Sequence, residues 1–266
     1  MAGFLKSLFG KPAELAMPGE EDWQGAFELP IFAGLTRADF ARLRGLAERL
    51  LADKTFTPVS GAEPDGSALA RIASLAALPV LNLGYGWYGP WREVIVYPEQ
   101  FVPEREITDD FGVVHRVRQP LSGEAWEGGP LILSLDDVAW SGLGEGYNVV
   151  IHEFAHKLDM KNGAVDGLPP LHSDMDAAAW ATAFEPAYAD FCRRVDGAAQ
   201  PEEDFDIDPY ASESPAEFFA VLSEYFFERP DVLMAEYPAV YQQMRQFYRQ
   251  DPLSRLEQAS HDPAAP

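Results

Sequence analysis

Val149-Val150-Ile151-His152-Glu153-Phe154-Ala155-His156-Lys157-Leu158-Asp159 is the stretch on which the fold and the chemistry of this chain turn. It holds a His-Glu-x-x-His pattern. On a helix, His152 and His156 stand one turn apart, about 6 Å along the axis and on nearly the same face, so two imidazoles converge on one ion. Glu153 points about 100° away from His152. That offset suits a carboxylate that stands beside a metal and acts on its water rather than binding the ion. Imidazole nitrogen and carboxylate oxygen suit zinc, one ion per chain, in a tetrahedral site with one position left for water.

The flanks of the stretch carry helix signals. Gly144 and Gly146 precede it, Asn148 is placed to cap it, and Asn162-Gly163 offers a left-handed stop after Lys157 and Lys161. Val150, Phe154 and Leu158 repeat at four-residue spacing and predict a buried stripe. The competing reading is two histidines on the ordinary polar surface of a half-buried helix.

Two histidines do not complete a catalytic zinc site, which takes three protein ligands. Downstream, His172 and His261 are weak candidates, the latter in a Pro/Ala-rich tail. An extended site with Gly three and His six residues after His156 is excluded, because Asp159 and Asn162 occupy those places. Asp159 is either an acceptor that orients an imidazole or a surface carboxylate. The strongest candidate for the third ligand is Glu217, in Ser214-Pro215-Ala216-Glu217, where Ser214 caps a helix and Pro215 takes its first position. The same Ser-x-x-Glu pattern is a capping box, in which the carboxylate bonds back to the Ser214 N–H. Glu224, two turns later on the same face, competes for either role.

Composition narrows the function classes. The chain has 266 residues, 47% hydrophobic and 12% aromatic, enough for a well-buried core in one large domain or two intimate lobes. With 43 acidic and 20 basic side chains the formal charge is -23, a field that repels phosphate backbones and anionic membranes. Direct nucleic-acid and membrane partners are therefore not expected. Cys192, the single cysteine, excludes an internal disulfide and reads as a small core hydrophobe. No signal-peptide run and no stretch of 18 apolar residues is found, which predicts a soluble cytoplasmic protein.

Along the chain, residues 1–19 read as a short amphipathic arm with Phe4, Leu5, Leu8 and Phe9 between basic residues. Thr36 and Asp39 open a helix carrying Phe40, Leu43, Leu46, Ala47, Leu50 and Leu51, and a second helix covers 68–78. The aromatic, glycine-rich loop 84–91 is either pinned by its own rings or a wall of a cleft. Strands are predicted at 93–97, 113–118 and 131–135, the last as an edge that pairs with substrate backbone. A helix over 176–195, which Pro186 could divide, precedes an acidic exposed connection at 197–209.

His152-Glu153-Phe154-Ala155-His156-Lys157-Leu158-Asp159, followed by Asp208-Pro209-Tyr210-Ala211 and Pro215-Ala216-Glu217-Phe218-Phe219-Ala220-Val221-Leu222-Ser223-Glu224, resembles the Mlc titration factor A family. The likeness extends through Leu78-Pro79-Val80-Leu81, Val96-Tyr97-Pro98, Gln246-Phe247-Tyr248 and Asp251-Pro252-Leu253, from about residue 20 to 256. It implies a gluzincin-type zinc metallopeptidase with aminopeptidase-like activity on a peptide or protein substrate. It further implies His152, His156 and Glu217 as metal ligands, Glu153 as general base and Tyr210 as a donor to the oxyanion. A transcriptional repressor of the Mlc type is the partner it implies.

The expected fold is α+β and mainly helical: a zincin-like metallopeptidase core with an active-site helix and a small mixed sheet. Residues 20–256 are expected to form one domain with two lobes flanking the cleft, and 257–266 a disordered tail. The rival to an enzyme is a binding module that sequesters a repressor, hydrolysis being incidental. A structural zinc that staples two helices is a third reading.

Overall fold

In the computed structural model, residues 15–100, 104–108, 114–118, 123–125, 129–199 and 205–261 are described. The amphipathic stretch 4–9, the centre of the 197–209 connection and the chain end after 261 lie outside them.

Helices α1 (Glu20–Phe27), α2 (Arg37–Asp53) and α3 (Gly66–Ala77) open the fold. Thr36 caps α2 as the sequence predicts: its Oγ1 accepts the Asp39 N–H at 3.1 Å, and Asp39 returns a bond to the Thr36 N–H. Strands β1 (Thr55–Pro58), β2 (Glu93–Tyr97), β5 (Gly123–Ala125) and β6 (Leu131–Ser134) form one sheet in the order β1-β2-β6-β5. β1, β2 and β6 run parallel, and β5 is antiparallel to β6. Alternation decides which face sees the core. Val94, Val96, Leu131 and Leu133 join the main core, while Ile95, Ile132 and Val59 form a small second cluster with Tyr97 on the other face. β3 (Glu104–Thr108) and β4 (Val114–Arg118) make a separate antiparallel pair.

The sheet corrects one expectation. β6 is not an edge, because it is hydrogen-bonded on both sides; the edge on that side is β5, with Glu124 opposite Ile132. Ser134 then ends β6 and caps α4 (Leu135–Trp140), so Leu135 belongs to the helix.

The second half is helical: α5 (Val149–Asp159), α6 (Ala177–Gly197), α7 (Pro215–Glu228), α8 (Pro230–Glu236), α9 (Pro238–Tyr248) and α10 (Pro252–His261). α6 runs through Pro186 without a break. α10 continues through His261, past the point where a tail was expected. Trp180, Phe184, Phe218, Phe219, Phe226, Phe247 and Tyr248 pack ring on ring between α6, α7 and α9. The architecture is mainly helical α+β with a small mixed sheet. Among the described residues, no helix is long and apolar enough to cross a membrane.

Candidate metal centre

The centre is built where α5 lies against α7. Asn148 caps α5, its Oδ1 accepting the Ile151 N–H at 2.9 Å, and Gly163 ends the following turn with φ 96°. Val150, Phe154 and Leu158 form the expected stripe, each fully buried. The helix is more enclosed than a half-core helix: Glu153, His156, Lys157 and Asp159 are buried as well. Phe154 is held by the loop rings, with Tyr88 at 4.9 Å and Trp91 at 5.6 Å between centroids.

α7 brings the third group. The Ser214 Oγ accepts the Glu217 N–H at 3.1 Å, so the cap forms, but the Glu217 carboxylate turns away from it toward the imidazoles. Its Oε2 lies 3.0 Å from His152 Nε2 and 3.2 Å from His156 Nε2, and the two nitrogens are 3.2 Å apart. A tetrahedral ion with bonds of about 2.0–2.1 Å sets its donor atoms about 3.3 Å apart. The triangle found matches that spacing, and these three residues could hold a metal ion.

Proton bookkeeping leads to the same place. His152 Nδ1 donates to Glu224 Oε1 at 2.8 Å, so a neutral His152 turns a lone pair at Nε2 toward a carboxylate oxygen. Two acceptors this close need a positive species between them, a proton on the imidazole or a metal ion in its place. Burial disfavours charge on His152, yet contacts with Glu217 and Glu224 outweigh it and raise its pKa well above the ordinary value. Burial likewise works against ionised Glu217, and the bonds from His152 and His156 more than compensate, pulling its pKa far down. The site is organised around positive charge.

Glu224 thus takes neither role that competed with Glu217; it fixes the tautomer of His152 and also accepts the Asn148 backbone N–H. One turn further, Glu228 accepts Gly142 N–H at 2.7 Å, Gly144 N–H at 2.6 Å and Asn148 Nδ2 at 2.7 Å, shaping the approach to α5. Burial pushes its pKa up to about 7 against those three donors. Sequence reading missed Glu228, although the spacing 217, 224, 228 marks one face of a helix.

Asp159 does not orient an imidazole among the described residues: its Oδ2 accepts the Gly167 N–H at 2.9 Å, while Oδ1 and His156 Nδ1 are buried without partners. Burial raises its pKa to about 6. His172 is structural, donating Nε2–H to the Phe247 carbonyl at 2.8 Å beside the Trp87 ring. The His261 side chain lies outside the described residues. Cys192 is only partly buried, its thiol 3.6 Å from the Ser212 carbonyl, not a core hydrophobe.

Tyr210 sits in the short 3-10 turn Pro209–Ser212 just before α7, 44% exposed, with its ring 6.1 Å from that of His152. Glu153, on the adjacent face of α5, is 4% exposed and acts electrostatically on Lys157.

The family model that matches this chain makes it a metallopeptidase-like protein. The chain belongs to the glucose-regulated metallo-peptidase M90 family, whose model matches residues 13–249. It is 40% identical to Mlc titration factor A of Escherichia fergusonii over 256 residues, covering 96% of each chain. Identity to the protein of the same name from Salmonella arizonae is 41% over 249 residues, 92% of this chain and 97% of that one. The Escherichia coli protein is 41% identical over 238 residues, 90% of this chain and 89% of its own length.

Proposed function

We propose that this protein is a zinc-dependent, aminopeptidase-like metallopeptidase with a zincin-like core, in which His152, His156 and Glu217 hold the ion. The observation that carries the reading is the 3.0–3.2 Å triangle of donor atoms, with His152 locked by Glu224. Bound there, zinc would lower the pKa of water and polarise a peptide carbonyl.

The remaining steps fall to the chain's own groups. Glu153 takes the proton from the attacking water and passes it to the leaving nitrogen. Tyr210, next to His152 and open to solvent, donates its phenolic proton toward the developing oxyanion. The substrate backbone adds to the outer side of β5 rather than to β6, because among the described residues β5 ends the sheet on that side and packs against α5.

The test is Glu153→Gln. It is expected to retain one zinc per chain by elemental analysis and to lose peptide turnover by a factor of at least about 10². Turnover at the wild-type rate removes Glu153 from the mechanism, and a metal-free wild-type protein removes the reading itself.

A second reading has its own support. The relatives are named for titrating Mlc, and a charge of -23 favours capture of a basic DNA-binding repressor by complementarity. Capture of such a repressor by Glu153→Gln as well as by wild type separates binding from hydrolysis.

A further inference from the structure

Lysine is scarce here: the chain has five, Lys6, Lys11, Lys54, Lys157 and Lys161. The last three gather around the rings of one aromatic groove, Lys157 and Lys161 in its wall and Lys54 buried behind it. Lys54 Nζ lies 4.1 Å and Lys157 Nζ 4.9 Å from the Trp91 ring centre, and Lys161 Nζ lies 5.7 Å from that of Trp87. The groove encloses about 490 Å³ and is lined by Trp87, Tyr88, Trp91, Lys157, Met160 and Lys161.

Lys54 is spoken for by Asp53 at 2.9 Å and the Trp91 carbonyl. Lys161 differs: it is exposed, gives one bond to the Gly86 carbonyl at 3.1 Å, and forms no ion pair among the described residues. An ammonium carries three donors, so it has donors left for a ligand. Trp91 Nε1, buried in the wall, has no acceptor among the described residues. On a chain of charge -23, a groove walled by cations and indoles selects against cationic ligands and for anions with an apolar body.

The position of the groove gives it a role. Glu153, Lys157 and Lys161 follow at four-residue spacing down α5 and its terminal turn, so Lys157, in the groove wall, stands one helical turn, about 6 Å of axial rise, beyond the general base. A base that hands its proton to the leaving nitrogen has the leaving residue on its own side. Resting on the peptidase reading, we propose that this groove is the subsite for the residue after the scissile bond. There Lys161, with Lys157 behind it, recognises a carboxylate, and Trp87 and Trp91 hold the stem. The carboxylate is either an acidic side chain or the terminus of a short leaving peptide.

The experiment is calorimetric titration of the full-length, zinc-loaded Glu153→Gln protein with three probes. Acetyl-glutamate α-amide carries only a side-chain carboxylate, acetyl-phenylalanine only a terminal one, and acetyl-phenylalanine amide none. At least one anionic probe is expected to bind at least about tenfold tighter than the neutral amide, and the tighter of the two identifies the source of the carboxylate. Lys161→Glu is expected to weaken that binding at least about tenfold, and Lys161→Arg to preserve it within about threefold. Equal binding of all three probes, no binding of any, or anion binding indifferent to Lys161→Glu overturns the proposal. Because no turnover is measured, these outcomes are independent of whether wild type cleaves peptides.

Discussion

His152 Nδ1 lies 2.8 Å from Glu224 Oε1, and that contact links the two helices of the centre more firmly than the ligand triangle alone. The same carboxylate accepts the Asn148 backbone N–H, so the cap of α5 and the orientation of its first histidine share one partner on α7. The imidazole is presented already turned, with its Nε2 facing Glu217.

Glu224→Gln tests this link. An amide cannot accept on both sides, so either the His152 or the Asn148 bond is lost and the ring loosens. Zinc affinity is expected to fall about 10–100-fold. Competition against a chromogenic chelator measures it, and wild-type affinity in the variant would deny Glu224 its orienting role.

Ser214→Ala separates the cap from the ligand. Loss of the bond from Glu217 N–H is expected to cost about 1 kcal/mol in urea unfolding. Thr36→Ala, which removes the equivalent bond to Asp39 on remote α2, is the control and is expected to cost a similar amount. Only Ser214→Ala should also weaken zinc binding, since its helix start carries Glu217. Parallel behaviour of the two variants would show that cap and ligand are independent.

These local devices explain what the sequence makes legible and what it hides. Asn148, Gly163, Thr36 and Ser214 act on neighbours within four residues, so each helix end can be read from its own residues. The local pattern taken alone leaves Glu217 open, because Ser-x-x-Glu fits a capping box and a ligand equally; it is the family resemblance that implies the ligand. The choice depends on where α5 lies, more than sixty residues away. The β5 edge was missed for a different reason: Gly123, Glu124 and Ala125 lack the branched and aromatic residues that announce a strand. Pro186 misleads in the other direction, since the surrounding packing of Trp180, Phe184 and Phe191 keeps α6 continuous.

Glu228 gives stability a pH dependence of known sign. Its carboxyl ionises ordinarily near 4.5 but at about 7 in the fold, mainly because it is buried. Between those values the folded state binds more protons, so this contribution is complete below pH 4.5 and is lost as pH rises through 7. The loss is up to about 3 kcal/mol. Urea midpoints measured across that range for wild type and Glu228→Gln should give a stability difference that drifts against wild type as pH rises. A difference that stays flat would mean that Glu228 is ionised throughout.

Gly167 couples the loop after α5 to the start of α7. It has φ 77°, donates its N–H to Asp159 at 2.9 Å, and a Cβ there would stand 2.3 Å from the Pro215 carbonyl oxygen. That oxygen belongs to backbone two residues before Glu217, so it can yield only by moving the first turn of α7. Gly163 is the natural control, with φ 96° and nothing within 4 Å of an added Cβ. Gly163→Ala is expected to cost only the left-handed backbone penalty, about 1 kcal/mol, and to leave zinc affinity unchanged. Gly167→Ala is expected to cost more in urea unfolding and to weaken zinc binding, because displacing Pro215 drags the Glu217 carboxylate out of its triangle with His152 and His156. Equal losses in the two variants, with zinc affinity intact in both, would show that the position of Glu217 does not depend on this contact.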